Sequence, residues 1–208
     1  MWYRPQMPKY GPNRDPEAEQ RILDAAAELI CGQGPGQVPI NEIARHAAVG
    51  KQTIYRWWPS KTALVIDALE RVLERGSPAP DRPTTKENIR LQMRRVAKLH
   101  ASPTGSLIRH LVAEAQFDAE VAEEFRRRFF TERRKQAQHV IEAGIETGEL
   151  SKGLDIETVI DLLYGPLWLR MLIGHQPLSQ GAVDRILDTA WPALTASPGN
   201  QEGGAPAG

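Results

Sequence analysis

Residues 39–61, PINEIARHAAVGKQTIYRWWPSK, leave this chain few folds to choose from. Ile40, Ile43, Ala44 and Ala47 recur at helical spacing and share one face. The short apolar run Ala47-Ala48-Val49 leaves no room for a long loop. Gly50 then opens a second helical pattern through Lys51, Gln52, Thr53, Ile54, Tyr55 and Arg56. Pro59 ends it, because proline pushes the residue before it out of the helical region. Ser60 is placed to cap the helix that follows. Helix, tight turn, helix is the layout of a DNA-reading helix-turn-helix.

Charge points the same way. From Ile43 to Ile66 the cations are Arg45, Lys51, Arg56 and Lys61, and no Asp or Glu occurs. The whole chain of 208 residues has 26 basic and 26 acidic residues, so affinity for a polyanion must come from this local patch. A phosphate backbone suits such a patch. Lys51, Gln52 and Thr53 open the second helix, where the side chains of a recognition helix reach base edges.

Ile43-Ala44, Ala47-Ala48-Val49, Thr53-Ile54-Tyr55 and Pro59-Ser60-Lys61 together resemble the signature of the TetR (tetracycline-repressor-like) regulators. The resemblance implies groove-facing roles for Asn41, Lys51, Gln52 and Thr53. It implies phosphate contacts for Tyr55, Trp57 and Lys61, and Arg56 belongs with them by charge. Family members usually carry Gly in the turn and Ser before the recognition helix; this chain has Ala48 and Gly50. Val38 stands where a capping Thr is common, and Pro39 suits a first helical position. These departures bear on the local caps. Two readings of Trp57 stand at this point: an indole N–H donating to a phosphate, or a half-buried surface ring. Trp58, four residues after Ile54, reads as core.

Around this stretch the chain reads as helices alone. Residues 1–14 carry Arg4, Lys9 and Arg14 among prolines and aromatics, as a flexible arm or as a basic arm in the DNA minor groove. Asp15-Pro16 starts a helix with an apolar face of Ile22, Ala26, Leu29 and Ile30, ended by Gly32 and Gly34. Cys31 is the single cysteine, which excludes an intramolecular disulfide and reads as a small buried thiol. Leu64, Val65, Ala68, Leu69 and Val72 give a helix from Ser60 to Arg75 that joins head to body, and residues 77–83 are a proline-rich linker. Helices follow from Thr85 and from Thr104, then a long one from Asp118 to about Gly148. The polar stretch from Arg126 to Gln138 reads as the solvated face of that long helix.

The segment from Ile156 to Ile173 is apolar all round, which predicts cover on every side and a kink at Pro166. With the helix from Ser179 to about Leu194 it offers more apolar surface than one body needs, so a homodimer is expected, with Leu187 and Trp191 at its interface. The string LLYGPLWLRMLIGHQPLS also resembles the C-terminal region of one group of TetR regulators. Residues 196–208 read as a disordered tail.

The expected architecture is therefore all-α. It has an arm at 1–14, a three-helix DNA-binding head at 15–61, a helical regulatory and dimerisation body at 62–195, and the tail. The N-terminus has no apolar segment of signal type and no apolar run is long enough to span a bilayer, so a cytoplasmic location is expected, without a membrane partner. Phosphate loops, dinucleotide fingerprints, zinc spacings and nucleophile elbows do not occur, so no catalytic residue, metal or cofactor is expected. His110 and Glu114 lie four apart on one helix; with no second ligand pair they read as a structural pair.

The leading function is a sequence-specific DNA-binding regulator, a repressor released from a near-palindromic operator by a small, mostly apolar ligand. The alternatives are an enzyme with a vestigial head and a constitutive DNA-binding regulator without a ligand. Candidate pocket residues are Leu107, Leu111, Phe125, Phe129, Trp168 and Met171, with His110 and Glu114 as polar contacts. Large apolar side chains around Gly165-Pro166 motivate that choice, and simple core filling explains the same residues.

Overall fold

The computed structural model describes residues 15–33, 38–74 and 82–195. The basic arm at 1–14, Gly34, most of the proline-rich linker, the tail at 196–208 and the side chain of Cys31 lie outside the described residues. Among the described residues there are helices and no strand. They divide into two compact units: the described residues of 1–77 with those of 106–129, and the described residues of 78–105 with those of 130–208.

The first unit starts with α1 (Pro16–Gln33). Asp15 caps it as expected, its carboxylate accepting from the Glu17 N–H at 3.0 Å. Two helices of seven residues follow, α2 (Ile40–His46) and α3 (Lys51–Trp57), and then α4 (Lys61–Glu74). The Ser60 hydroxyl accepts from the Ala63 N–H at 3.1 Å, which fixes the start of α4. Ile22, Ala26 and Ile30 of α1, Ile43 of α2, Ile54 of α3 and Leu64, Ala68 and Leu69 of α4 are all buried in the core of this unit. Each aliphatic side chain larger than alanine contributes about 1.5–3 kcal/mol by leaving water. This unit also takes in most of α6 (Pro103–Glu114), then α7 (Ala119–Glu124) and all but the last residue of a π-turn, Phe125–Phe130. Packing thus gathers α4 and residues 106–129 with the helix-turn-helix, a grouping different from a cut at 61/62.

The turn between α2 and α3 closes by two backbone bonds. The Val49 N–H donates to the Ala44 carbonyl (3.0 Å), and the Ala48 N–H to that of Arg45 (3.2 Å). This is the Schellman arrangement, and its closing residue must be left-handed. That residue is Ala48, at φ 53°. A Cβ in this conformation costs about 1–2 kcal/mol. From α1, the Arg21 Nε donates to the Ala47 carbonyl at 3.2 Å and braces the turn from outside.

The second unit holds α5 (Thr85–His100), α8 (Thr131–Glu146), α9 (Ile156–Ile173) and α10 (Gln180–Thr195). Ile89, Met93, Ile141, Ile160, Leu163, Leu167, Val183 and Leu187 form its core. Thr84, Asp155 and Ser179 cap α5, α9 and α10 with side-chain oxygens. Gly144 faces Thr85 and Leu150 so closely that a methyl group there would overlap both.

The long helix expected from Asp118 onward is present but changes its winding at Phe125–Phe130, where α7 passes through the π-turn into α8. Nor is its polar stretch uniformly solvated: Arg128 is buried, with 7% of its side chain exposed. Within a single chain α9 is covered on part of its circumference. Leu162, Leu169, Leu172 and Ile173 are 44–68% exposed. Leu187, expected at a dimer interface, is fully buried within its own unit, because its face of α10 turns inward.

Ala48→Gly should stabilise the chain by about 0.5–1 kcal/mol. Glycine removes the left-handed strain but adds freedom to the unfolded state. Urea titration followed by circular dichroism measures it; a glycine variant no more stable than the parent would refute a strained turn.

Candidate nucleic-acid interface

Helix α3 has one buried side and one open side. Ile54 and Trp57 are buried, while Lys51, Gln52, Tyr55 and Arg56 are exposed and Thr53 is half-buried. Gln52 and Arg56, one turn apart, point directly away from Ile54, and Thr53 and Tyr55 flank them. Tyr55 is 49% exposed, with the Lys51 ammonium 5.4 Å from its ring centre. A cation over an aromatic face is held out along the surface without losing its charge. Asn41 and Arg45 on α2 are exposed as well. From Arg45 to Arg56 no carboxylate occurs in the sequence, so the exposed charges on α3 are cations alone.

Lys61 is half-buried at the start of α4. Burial pushes its ammonium below the usual lysine value, and the nearby Glu114 carboxylate works against that shift. Trp57 is corrected. Its ring is 3% exposed and packs edge-on against Trp58, with centroids 5.9 Å apart, so it is core and not a half-exposed phosphate donor. The reason is spacing: Trp57 lies three residues and Trp58 four residues after buried Ile54, and both fall on its side of the helix. The Arg56 guanidinium lies 5.8 Å from the Trp57 ring centre and covers its outer edge.

Gly50 precedes α3 with φ −72° and ψ 142°, and α3 has no side-chain cap. At the other end Trp58 closes the helix, its backbone N–H bonded to the Ile54 carbonyl at 2.8 Å. The Trp58 indole N–H donates to Asp67 of α4 at 2.5 Å. Asp67 also accepts from Arg128 of the π-turn, which reaches Glu70 at 2.9 Å and lies 3.7 Å from Glu124. These partners were missed in the sequence. A signal existed: Arg128 lies three residues after Phe125, on the same helical side as Phe125 and Phe129.

The pocket candidates do not gather in one unit. Leu107, Leu111, Phe125 and Phe129 are buried in the first; Trp168, half-buried, and Met171, buried, belong to the second. His110 and Glu114 are exposed on α6, so they are not interior polar contacts. His110 is bonded through Nδ1 to the Ser106 carbonyl at 2.8 Å, one turn back. In the second unit Trp168 meets His100 edge-on at 4.9 Å and Phe130 at 5.8 Å. A surface concavity of about 500 Å³ is lined by Arg82, Glu87, Arg90, Leu91, Arg94, Asp184 and Asp188, which is charged rather than apolar. Among the described residues no cluster of three or more His, Cys, Asp or Glu side chains is poised to hold a metal. No described helix is long and apolar enough to cross a membrane.

Known proteins carry the same arrangement. Residues 22–68 match the family model of bacterial regulatory proteins, tetR family, and residues 79–190 match that of the tetracyclin repressor-like C-terminal domain. The HTH-type transcriptional regulator YdeS of Bacillus subtilis (strain 168) is 36% identical over 189 residues, 91% of this chain and 96% of its own. The crystal structure of the TetR family transcription regulator SCO0332 superposes with a TM-score of 0.75 at 27% identity, covering 86% of this chain and 98% of that one. FadR from Bacillus subtilis in complex with stearoyl-CoA shares the fold, with a TM-score of 0.65 at 20% identity over 84% of this chain and 98% of its own. With the tetR-family model matched over its helix-turn-helix and the tetracyclin repressor-like model over its C-terminal part, this chain belongs to the TetR family of DNA-binding transcriptional regulators, a non-enzymatic role.

Proposed function

We propose that the chain is a homodimeric repressor that reads a near-palindromic operator and is released from it by a small, mostly apolar ligand. In this reading residues 15–61 act as the head and residues 62–195 as the dimerising, ligand-holding body, working in the cytoplasm. The observation that carries it is the open side of α3, where Lys51, Gln52, Tyr55 and Arg56 are exposed while Ile54 and Trp57 are buried. Lys51, Gln52 and Thr53 read base edges, with Asn41 beside them; Tyr55, Arg56 and Lys61 hold phosphates.

The exposed stripe on α9 supports the dimer. Leu162, Leu169 and Ile173 recur at steps of seven and four and so share one side, with Leu172 beside them. An apolar side left bare on a well-packed helix is what a two-fold, self-matching contact covers. The ligand reading is supported by the fold, since FadR from Bacillus subtilis, of the same fold, holds stearoyl-CoA. Leu107, Leu111, Phe125 and Phe129 in one unit and Trp168 and Met171 in the other stay as apolar candidates; any release requires that the ligand bind the two conformations unequally.

Selection of bound duplexes from a random pool should return a two-fold symmetric sequence; equal retention of all sequences would refute DNA reading. On that operator Lys61→Ala should weaken binding of every duplex alike and flatten the salt slope by about one unit. Gln52→Ala should instead relax preference at one base pair by about 1–3 kcal/mol. Leu169→Glu should sediment as a folded monomer, whereas a wild-type monomer at micromolar concentration would refute the dimer. Long-chain acyl thioesters and apolar aromatic compounds should include one that lowers operator affinity; if none does, the repressor acts without a ligand.

A further inference from the structure

The Arg128 side chain is buried and charged, and it lies outside the open side of α3. Its guanidinium is 7% exposed and sits between Asp67 and Glu70 of α4, with Glu124 of its own helix at 3.7 Å. A buried ion pair of this kind adds little net stability, because desolvation offsets the attraction; what it fixes is geometry. Here the geometry leads to α3. The two oxygens of Asp67 are divided: Oδ1 takes Arg128, and Oδ2 takes the indole N–H of Trp58 at 2.5 Å. Trp58 is the residue at which α3 stops being helical, with φ −125° and ψ 118°, and its ring is 1% exposed. Holding that ring fixes the rotation of α3 about its own axis. That rotation decides where Gln52 and Arg56 point.

Arg128 is aimed by the π-turn. Phe125 and Phe129 are both buried and stacked at 5.2 Å, and Arg128 leaves the backbone beside them within the same wide turn. A π-turn is rare and is frequently found at functional sites. We propose that Arg128 is a positioning residue for DNA reading, acting through Asp67 and Trp58 on the recognition helix. This rests on the reading of α3 as the helix that enters the groove.

The test uses the full-length chain, the operator selected above and a random-sequence duplex of the same length. Arg128→Lys keeps the charge but not the planar guanidinium, whose Nη2 donates to both Asp67 and Glu70 while Nη1 faces Glu124. Trp58→Phe keeps a buried ring and every charge but removes the N–H. Each should weaken operator binding about tenfold while leaving random-duplex binding unchanged, and the double variant should be little weaker than either single one. The indole N–H resonance of Trp58 should shift in Arg128→Lys.

Operator binding by Trp58→Phe equal to wild type would overturn the proposal. So would equal losses on both duplexes, or losses that multiply in the double variant. Should the lysine variant melt early, Trp58→Phe decides alone. If wild type selects no duplex, the DNA reading itself fails; if it does and the variants match it, only the positioning role fails.

Discussion

A helix of seven residues does not persist in water by itself, because the cost of its first turn is never recovered over so few hydrogen bonds. Helices α2 and α3 are both of this length. They exist because α1 and α4 offer an apolar surface on which Ile43, Ile54, Trp57 and Trp58 are buried. The layout of the helix-turn-helix follows from that dependence. The side of α3 given to the core is fixed by packing, so the side left to solvent is fixed too. Specific side chains there are free to be polar because they contribute nothing to holding the helix.

The chain's charge is arranged on the same principle. Formal net charge is zero, yet the stretch from Ile43 to Ile66 holds cations alone. Asp67, the first acid after it, points inward to Trp58 and Arg128 rather than out to the surface. A carboxylate at that place would weaken phosphate binding if it were exposed; buried, its charge is spent on a guanidinium. Glu124 likewise serves Arg127 and Arg128. The second unit shows the pattern in another form: Arg90 and Arg94 of α5 pair with Asp184 of α10, and Arg134 of α8 with Glu157 and Asp161 of α9.

Much of this was legible from residues alone, for a local reason. The helix-turn-helix is specified by neighbours: apolar spacing, a tight turn, a proline stop and a serine cap act over a few residues, so pattern reading finds them. Legibility failed where a distant contact decided. Spacing from Ile54 puts both Trp57 and Trp58 on the core side, but the family's phosphate role for the first position pulls Trp57 toward the surface. Charge assigns Arg128 to the surface, though its phase relative to Phe125 puts it inside. The circumference of α9 is apolar throughout, so composition did not reveal which strip stays bare. Apolar pocket linings and apolar cores use the same residues, which left Leu107 and Phe129 undivided between the two roles. The left-handed turn at Ala48 was visible only as a departure from the family's usual glycine; the backbone angle shows why glycine is usual there.

The π-turn at Phe125–Phe130 has a consequence for how this chain is aligned with its relatives. A π-turn is a helix that has swallowed one extra residue instead of looping it out. The residues before and after it therefore keep helical phase separately, and a single period drawn from Ala119 to Glu146 mislabels inner and outer positions on one side or the other. Against a sequence whose helix lacks the π-turn, an alignment that forbids gaps inside helices slides the RRR of this segment by one place. Arg128 would then be matched to an outward-facing residue, and the only member of the trio that faces inward would look like one more surface arginine.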